Sequence, residues 1–375
     1  MKLSCIQENL SKGLSIVGRA VPSRTTLPIT SNVLLAAEES RLKLTATNLE
    51  MAATCWIGAM VEDEGAITVP AKLLTEFVGT LPNDKIDLTL ASHILEMRCA
   101  RFEAHMTGID AADFPPIPQI SDGLTTRAQP DVLRQAISQV AFATATEDAR
   151  PVLTGVHIEM AGETMILAAA DGFRLAVYNM PLGSTFEENV EFIIPGRALS
   201  ELQRLLSDQE EAVEIAANPA RSQIVFRLNN IEIVSQLLQG TFPNYRQLIP
   251  QDYGTRAVIN TAEFLNAART ASIFARDTSG IVRLYVDPGV DSMPGKVTLS
   301  SRSEQLGDNQ GEIDAQVEGE ATKIAFNGKY LIDVLSVLRE EQVAFEATTP
   351  SSPGVICPVG SDNYVHVVMP MFVQW

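Results

Sequence analysis

Clusters of reactive side chains are missing from this chain. Its four cysteines, Cys5, Cys55, Cys99 and Cys357, lie far apart and form no Cys-x-x-Cys pair. That spacing excludes a zinc ribbon or a redox pair and leaves free thiols in a reducing cytoplasm as the expectation. The four histidines, His93, His105, His157 and His366, are equally scattered, with no His-x-x-x-His pair. No metal and no cofactor is therefore expected. Phosphate-loop, dinucleotide and nucleophile-elbow signatures are absent. The N-terminus has Lys2 but no apolar run ahead of a small-residue cleavage site, so no secretory leader is read there. No stretch approaches the roughly 18 apolar residues of a membrane span. Positive charge is scarce too. The formal net charge is -18, the reverse of the usual footprint of a nucleic-acid binder.

What is present is repetition. Pro28-Ile29-Thr30-Ser31-Asn32-Val33-Leu34-Leu35 recurs as Pro151-Val152-Leu153-Thr154-Gly155-Val156-His157-Ile158, at an offset of 123 residues. The same offset carries Leu44-Thr45-Ala46-Thr47-Asn48-Leu49 onto Leu167-Ala168-Ala169-Ala170-Asp171-Gly172. A fainter third copy begins near Thr261. Copies of about 125 residues are of ordinary domain size, and they predict domains over 1–122, 123–250 and 251–375.

Each copy opens with an amphipathic helix and carries a second one later. The spacing of apolar residues predicts helices over 5–20, 71–80, 130–143, 196–206, 261–276 and 328–341, with Thr261 as a cap. Strand signals flank short turns: Val33–Ala37 with Leu42–Thr47, and Val156–Met160 with Met165–Ala170 around Ala161-Gly162-Glu163. The acidic run Asp308-Asn309-Gln310-Gly311-Glu312 reads as a solvated loop rather than a calcium loop. Two helices and a majority of strands per copy give an α+β class, helices packed on antiparallel sheets. The six predicted helices hold ten cations against eight anions, so nearly all the negative charge lies outside them. Surface ion pairing explains that split, and so does a helical face turned toward a polyanion. An enzyme with an unrecognised site and a repeat scaffold that never meets DNA remain alternatives at this point.

Five spaced motifs carry a resemblance that runs the length of the chain. They are Ser23-Arg24-Thr25-Thr26-Leu27-Pro28-Ile29, Thr47-Asn48-Leu49-Glu50-Met51, Ala170-Asp171-Gly172-Phe173-Arg174-Leu175-Ala176-Val177, Phe242-Pro243-Asn244-Tyr245-Arg246 and Val367-Val368-Met369-Pro370-Met371. In them the chain resembles the bacterial sliding clamp family, the beta subunit of DNA polymerase III. The resemblance implies three tandem clamp domains, a head-to-tail homodimeric ring around duplex DNA, no catalysis, and a cytoplasmic processivity factor. Implied partners are double-stranded DNA without sequence preference, the replicative polymerase alpha subunit, the clamp loader and other proteins with clamp-binding motifs, and no membrane. Implied DNA contacts are Arg24, Lys72, Arg150 and Arg197. The implied client-peptide pocket is Leu153, Gly172, Arg174, Leu175, Pro243, Leu248, Val367, Met369, Pro370 and Met371. The implied dimer seam joins strand Arg101–Thr107, with Met106, to Ile273 and Phe274. Departures from the family pattern are Phe173 for a frequent histidine, Ala170 for a frequent threonine, Pro151-Val152 for an aromatic pair, and a C-terminal extension ending in Trp375.

Overall fold

The structure, a computed structural model, describes residues 1–120, 123–147, 149–277, 279–289 and 294–374, with Glu188 as backbone alone. Asp122 at the expected first boundary and Trp375 at the end of the extension lie outside the described residues. Six α-helices occur among the described residues: α1 (Gln7–Val17), α2 (Ala71–Thr80), α3 (Pro130–Val140), α4 (Gly196–Leu205), α5 (Thr261–Phe274) and α6 (Gly328–Val337). Every strand pairing is antiparallel within three sheets, so the α+β expectation holds.

Helix α1 buries Leu10, Leu14 and Val17, one stripe at helical spacing. It starts later than expected because Lys2–Ile6 is a strand. Leu3 and Cys5 alternate inward there, a period of two that the helical pattern beyond Ile6 had masked. Helix α5 is capped by the Asn260 side chain, which accepts the Glu263 N–H, and not by Thr261. The Thr261 hydroxyl instead donates to the Glu340 carbonyl at 2.7 Å. Helix α6 ends at Val337, short of the expected 341, because Leu338 turns to extended backbone.

The chain divides into two compact units. The first holds Met1–Leu133 and Arg197–Leu237; the second holds Arg134–Gly196 and Leu238–Trp375. These units cut across the second repeat because sheets run on from one repeat into the next. In the first unit, a five-stranded sheet orders Met60–Asp63, Lys2–Ile6, Lys85–Ala91, Ile94–Cys99 and Phe102–Thr107. Its nine-stranded sheet passes from the first repeat to the second where Met51–Gly58 pairs with Ile231–Gln236. In the second unit, a ten-stranded sheet passes from the second repeat to the third where Arg174–Pro195 pairs with Tyr364–Val368.

Two strand expectations are corrected. Gly155–Ala170 is one continuous strand, with register shifts on either side of Gly162, where separate strands around a turn were expected. Gly162 absorbs the irregularity at φ 55°, a backbone conformation cheap for glycine. The acidic run 308–312 lies inside strand Gly307–Gly319, paired with Gly295–Ser303, rather than in a loop. Its side chains are mostly solvated all the same, which hides the strand from a hydropathy reading.

Candidate functional site

In the second unit, the turn from Ala170 to Arg174 is built by Asp171. Its Oδ1 accepts the N–H groups of Phe173 (2.9 Å) and Arg174 (3.0 Å). Gly172 takes φ 92° inside the turn, and a Cβ there would lie 2.8 Å from Arg150 Nη2. The Arg150 guanidinium is therefore packed on Gly172, and Arg150 lines a cleft of about 250 Å³ with Phe173, Lys329 and Tyr330. The Phe173 carbonyl accepts the Met369 N–H at 2.8 Å, which lays Met369 beside the turn.

Behind the turn, Leu153, Leu175 and Val367 join one buried cluster with Val177, Phe242, Tyr245 and Val355. Leu175 and Val367 stand directly opposite each other across the strand pair. Phe173, Leu248 and Met369 are exposed apolar groups, and Pro243, next to buried Phe242 of the cluster, is exposed too. Pro370 and Met371 are half-buried, and Met371 N–H donates to the Ala325 carbonyl at 2.7 Å. Phe372, in the extension, is exposed.

Arg174 lines the same cleft from within the chain's own hydrogen-bond network. It is buried, and each of its three nitrogens makes a hydrogen bond within the chain. Nε meets Asp171 Oδ2 at 3.0 Å, Nη1 meets Asp333 Oδ2 at 2.6 Å, and Nη2 donates to the Phe142 carbonyl at 2.8 Å. Its guanidinium carbon lies 5.2 Å from the Phe142 ring centroid and 4.6 Å from that of Tyr330. It braces the turn from the wall of the cleft. Next to it, burial pushes the His366 imidazole down to about 3, and the Arg174 charge adds to the shift.

The segment carrying Pro243 and Leu248 is held by Glu159. Its carboxylate accepts from the Tyr245 hydroxyl at 3.0 Å and pairs with the Arg246 guanidinium. His157 stacks on Phe242 with centroids 5.0 Å apart, and burial lowers its basicity although Glu159 and Glu191 lie close.

Of the expected DNA contacts, Arg150 lines this cleft. Arg24 is exposed on a loop whose neighbour Thr25 is tied to Thr30 (2.7 Å) and to the Leu27 N–H (3.0 Å). Lys72 and Arg197 are exposed second residues of α2 and α4. Lys329 holds the same position in α6 and is exposed as well. It was not among the expected contacts, although the basic residue recurs two places after Asn327, as it does after Pro70 and Pro195. The charge split is weaker than expected. The observed helices hold seven cations and six anions. Lys12 pairs with Asp208, Lys72 with Glu76, and Arg19 and Arg204 with Glu201.

At the expected seam, Met106 is corrected. It is 3% exposed and faces its own sheet, so its side chain is not offered to a partner. Its strand, Phe102–Thr107, is nevertheless an edge, with Phe102 and His105 exposed. Ile273 is exposed and Phe274 half-buried at the end of α5. Among the described residues no cluster of His, Cys, Asp and Glu suits a metal, and no helix is long and apolar enough to cross a membrane.

Three tandem repeats of two helices on antiparallel sheets, continuous from repeat to repeat, define a DNA-clamp fold, with no catalytic constellation among the described residues. Family comparison agrees along the chain. Residues 1–118, 127–244 and 246–372 match the N-terminal, central and C-terminal domains of the DNA polymerase III beta subunit. The chain is 33% identical to the beta sliding clamp of Synechococcus elongatus over 378 residues, with 99% of each covered. It is 30% identical to that of Bacillus subtilis, again over 99% of each. The solved sliding clamp of Bacillus subtilis superposes with a TM-score of 0.94 at 29% identity, covering 100% of both chains. A Pseudomonas aeruginosa sliding clamp bound to griselimycin superposes at 0.91, with 29% identity and 100% of both chains covered. The chain belongs to the DNA polymerase III beta subunit family. Its function is that of the processivity clamp of a replicative DNA polymerase, a non-catalytic subunit.

Proposed function

We propose that two copies of this chain close head to tail into a ring around duplex DNA. One observation carries this reading: a strand pairing made twice inside the chain is left open a third time. The last strand of the second repeat, Ile231–Gln236, pairs with Met51–Gly58 of the first. The last strand of the third, Tyr364–Val368, pairs with Arg174–Pro195 of the second. The corresponding strand of the first, Phe102–Thr107, has a bare outer edge among the described residues. Its counterpart in the third repeat is strand Gly307–Gly319, where residues 307–314 pair on one side only. Bare edges invite pairing with another chain, and edges of two kinds on one chain give a head-to-tail contact. Ile273 and Phe274 then flank the seam, while Met106 supports it from inside.

In this ring, Arg24, Lys72 and Arg197 meet DNA phosphates, and Lys329 joins them by repeat equivalence. Phosphate contacts position a protein without reading sequence. Arg150 belongs to the client pocket instead, because it is packed on Gly172. That pocket has Leu153, Leu175 and Val367 as its floor, and Gly172, Pro243, Leu248, Met369, Pro370 and Met371 around it. It takes short apolar segments of the polymerase alpha subunit, the clamp loader and other clients in the cytoplasm. Griselimycin, bound by the Pseudomonas aeruginosa relative, is a ready probe for it. The experiment is retention on closed circular DNA against loss from the same DNA linearised. Equal retention on both forms overturns the ring.

A further inference from the structure

The client pocket has a counterpart at the junction of the first and second repeats. The two junctions share one three-strand core. At the second, Leu175 faces Val367, which faces Val355. At the first, Ala52 faces Val234, which faces Val225. Ala52 is the residue 123 places before Leu175, so the two triples are the same site in two repeats. Both are followed by a Phe-Pro linker, Phe114-Pro115 and Phe242-Pro243, with each phenylalanine buried.

The linkers then differ. Counted six residues on from its phenylalanine, Leu248 is 53% exposed, whereas Ile120 is 5% exposed and packs into the cluster of Ala52, Val225 and Val234. Replacing leucine by alanine at the seat leaves space, and Ile120 with Ile117 takes it. The plug is pinned from outside. Arg227 Nη2 donates to the Ile120 carbonyl, and the same guanidinium pairs with Glu214 and Glu232. Beyond the plug an open cleft of about 460 Å³ remains, lined by Thr45, Thr54, Trp56, Pro115, Ile117 and Ile120 among others. Thr45 and Thr54 stand where the client pocket has Ala168 and Val177, so the cleft is a more polar version of the same mouth.

We propose that the first junction is a second socket for short apolar segments, held shut by the chain's own Ile120. It rests on the client-pocket reading for the class of ligand. A chain of this design takes one client although its fold supplies two seats. Withdrawing Ile120 joins the outer cleft to the seat and exposes the second.

The test is griselimycin stoichiometry by titration calorimetry on the full-length protein, with circular dichroism to confirm folding. The parent chain binds one equivalent per protomer. Ile120→Ala binds two, and Ile120→Ala with Met369→Ala keeps the new one while the original weakens at least tenfold. One equivalent in folded Ile120→Ala overturns the plug. Should Ile120→Ala not fold, Ile120→Val with Arg227→Gln is titrated the same way, and a count of one there overturns it equally. No binding to the parent chain overturns the client-pocket reading instead, so the two failures are distinct.

Discussion

Replacing Arg174 by methionine isolates the brace behind the pocket turn. Methionine keeps most of the apolar stem and removes the guanidinium. Asp171 and Asp333 then lose their shared cation, and the Phe142 carbonyl loses its donor. Breaking a buried pair by removing one partner costs about 3–5 kcal/mol. Two features pull the figure toward the lower end. Asp171 keeps the N–H groups of Phe173 and Arg174, and the Asp333 side chain is still 26% exposed. Loss of the two ring contacts adds about 1 kcal/mol, so the expected cost is about 3–4 kcal/mol in the second unit. At about 2–4 °C per kcal/mol for a unit of this size, the thermal midpoint falls by about 6–16 °C. Differential scanning calorimetry reads it, and hydrogen exchange at Phe173 and Met369 locates it. Asp333→Asn alone costs less, since Asp171 still neutralises Arg174. Asp333→Asn in the Arg174→Met background recovers part of the loss, because it removes an unpaired carboxylate. A single-variant loss under about 1 kcal/mol, the range of an exposed pair, refutes the brace and returns Arg174 to the rim as a ligand contact.

Four other outcomes follow from named groups. Lys329→Ala weakens DNA binding as much as Lys72→Ala or Arg197→Ala, and each lowers the slope of log affinity against log salt by about 1; an unchanged slope removes that residue from the interface. Ile273→Asp places a charge in the proposed seam, so sedimentation shifts from twice 40.7 kDa to 40.7 kDa while the midpoint of each unit stays put; an intact dimer rejects the seam. Gly172→Ala meets both a left-handed φ and the Arg150 guanidinium, and loses about 1–2 kcal/mol together with griselimycin affinity; neutral behaviour in both assays rejects the packing. His366 is neutral in the folded chain and holds its proton more readily when unfolded, so stability falls as pH drops from about 6.5 toward 3, by up to ~4 kcal/mol. His366→Gln flattens that limb of a pH-dependent urea melt, and an unaltered limb shows that another group titrates there.

The helices and most strands were legible because a repeat shows the same pattern more than once. Lys72, Arg197 and Lys329 illustrate this, since one position recurs at three helix starts. What escaped was set by partners far away in sequence. Arg174 shows nothing in sequence of its contacts with Asp333 and Tyr330, 159 and 156 residues downstream. Met106 reads as an interface methionine until the sheet face is known, because one residue's difference in a strand reverses its side. The strand at 308–312 was hidden because one of its edges is bare, so acidic side chains and a missing apolar alternation coexist with a regular ladder. Ile120 could not be told from any linker isoleucine without the pairing of Ala52 with Val234.

The near balance of charge on the helices matters for how an acidic protein serves DNA. Seven cations against six anions supply little bulk attraction, and several of the cations are already paired. The proposed interface uses few of them: exposed Lys72, itself beside Glu76, with Arg197 and Lys329 at helix N-termini, where the backbone adds about half a positive charge, and Arg24 on its loop. Counterion release rises with the number of phosphates neutralised, at about 0.9 in the salt slope per contact. Many contacts would hold a clamp at one place on the duplex. A few, spaced by the repeat, permit movement along it, and in a closed ring topology rather than affinity prevents escape. In the proposed ring, the acidic remainder of the chain disfavours DNA away from these cations. High salt should therefore weaken loading onto DNA while leaving a ring already closed on a circle in place. Rapid loss of preloaded protein from closed circles at high salt, with the dimer still intact by sedimentation, would show that charge does the holding and topology does not.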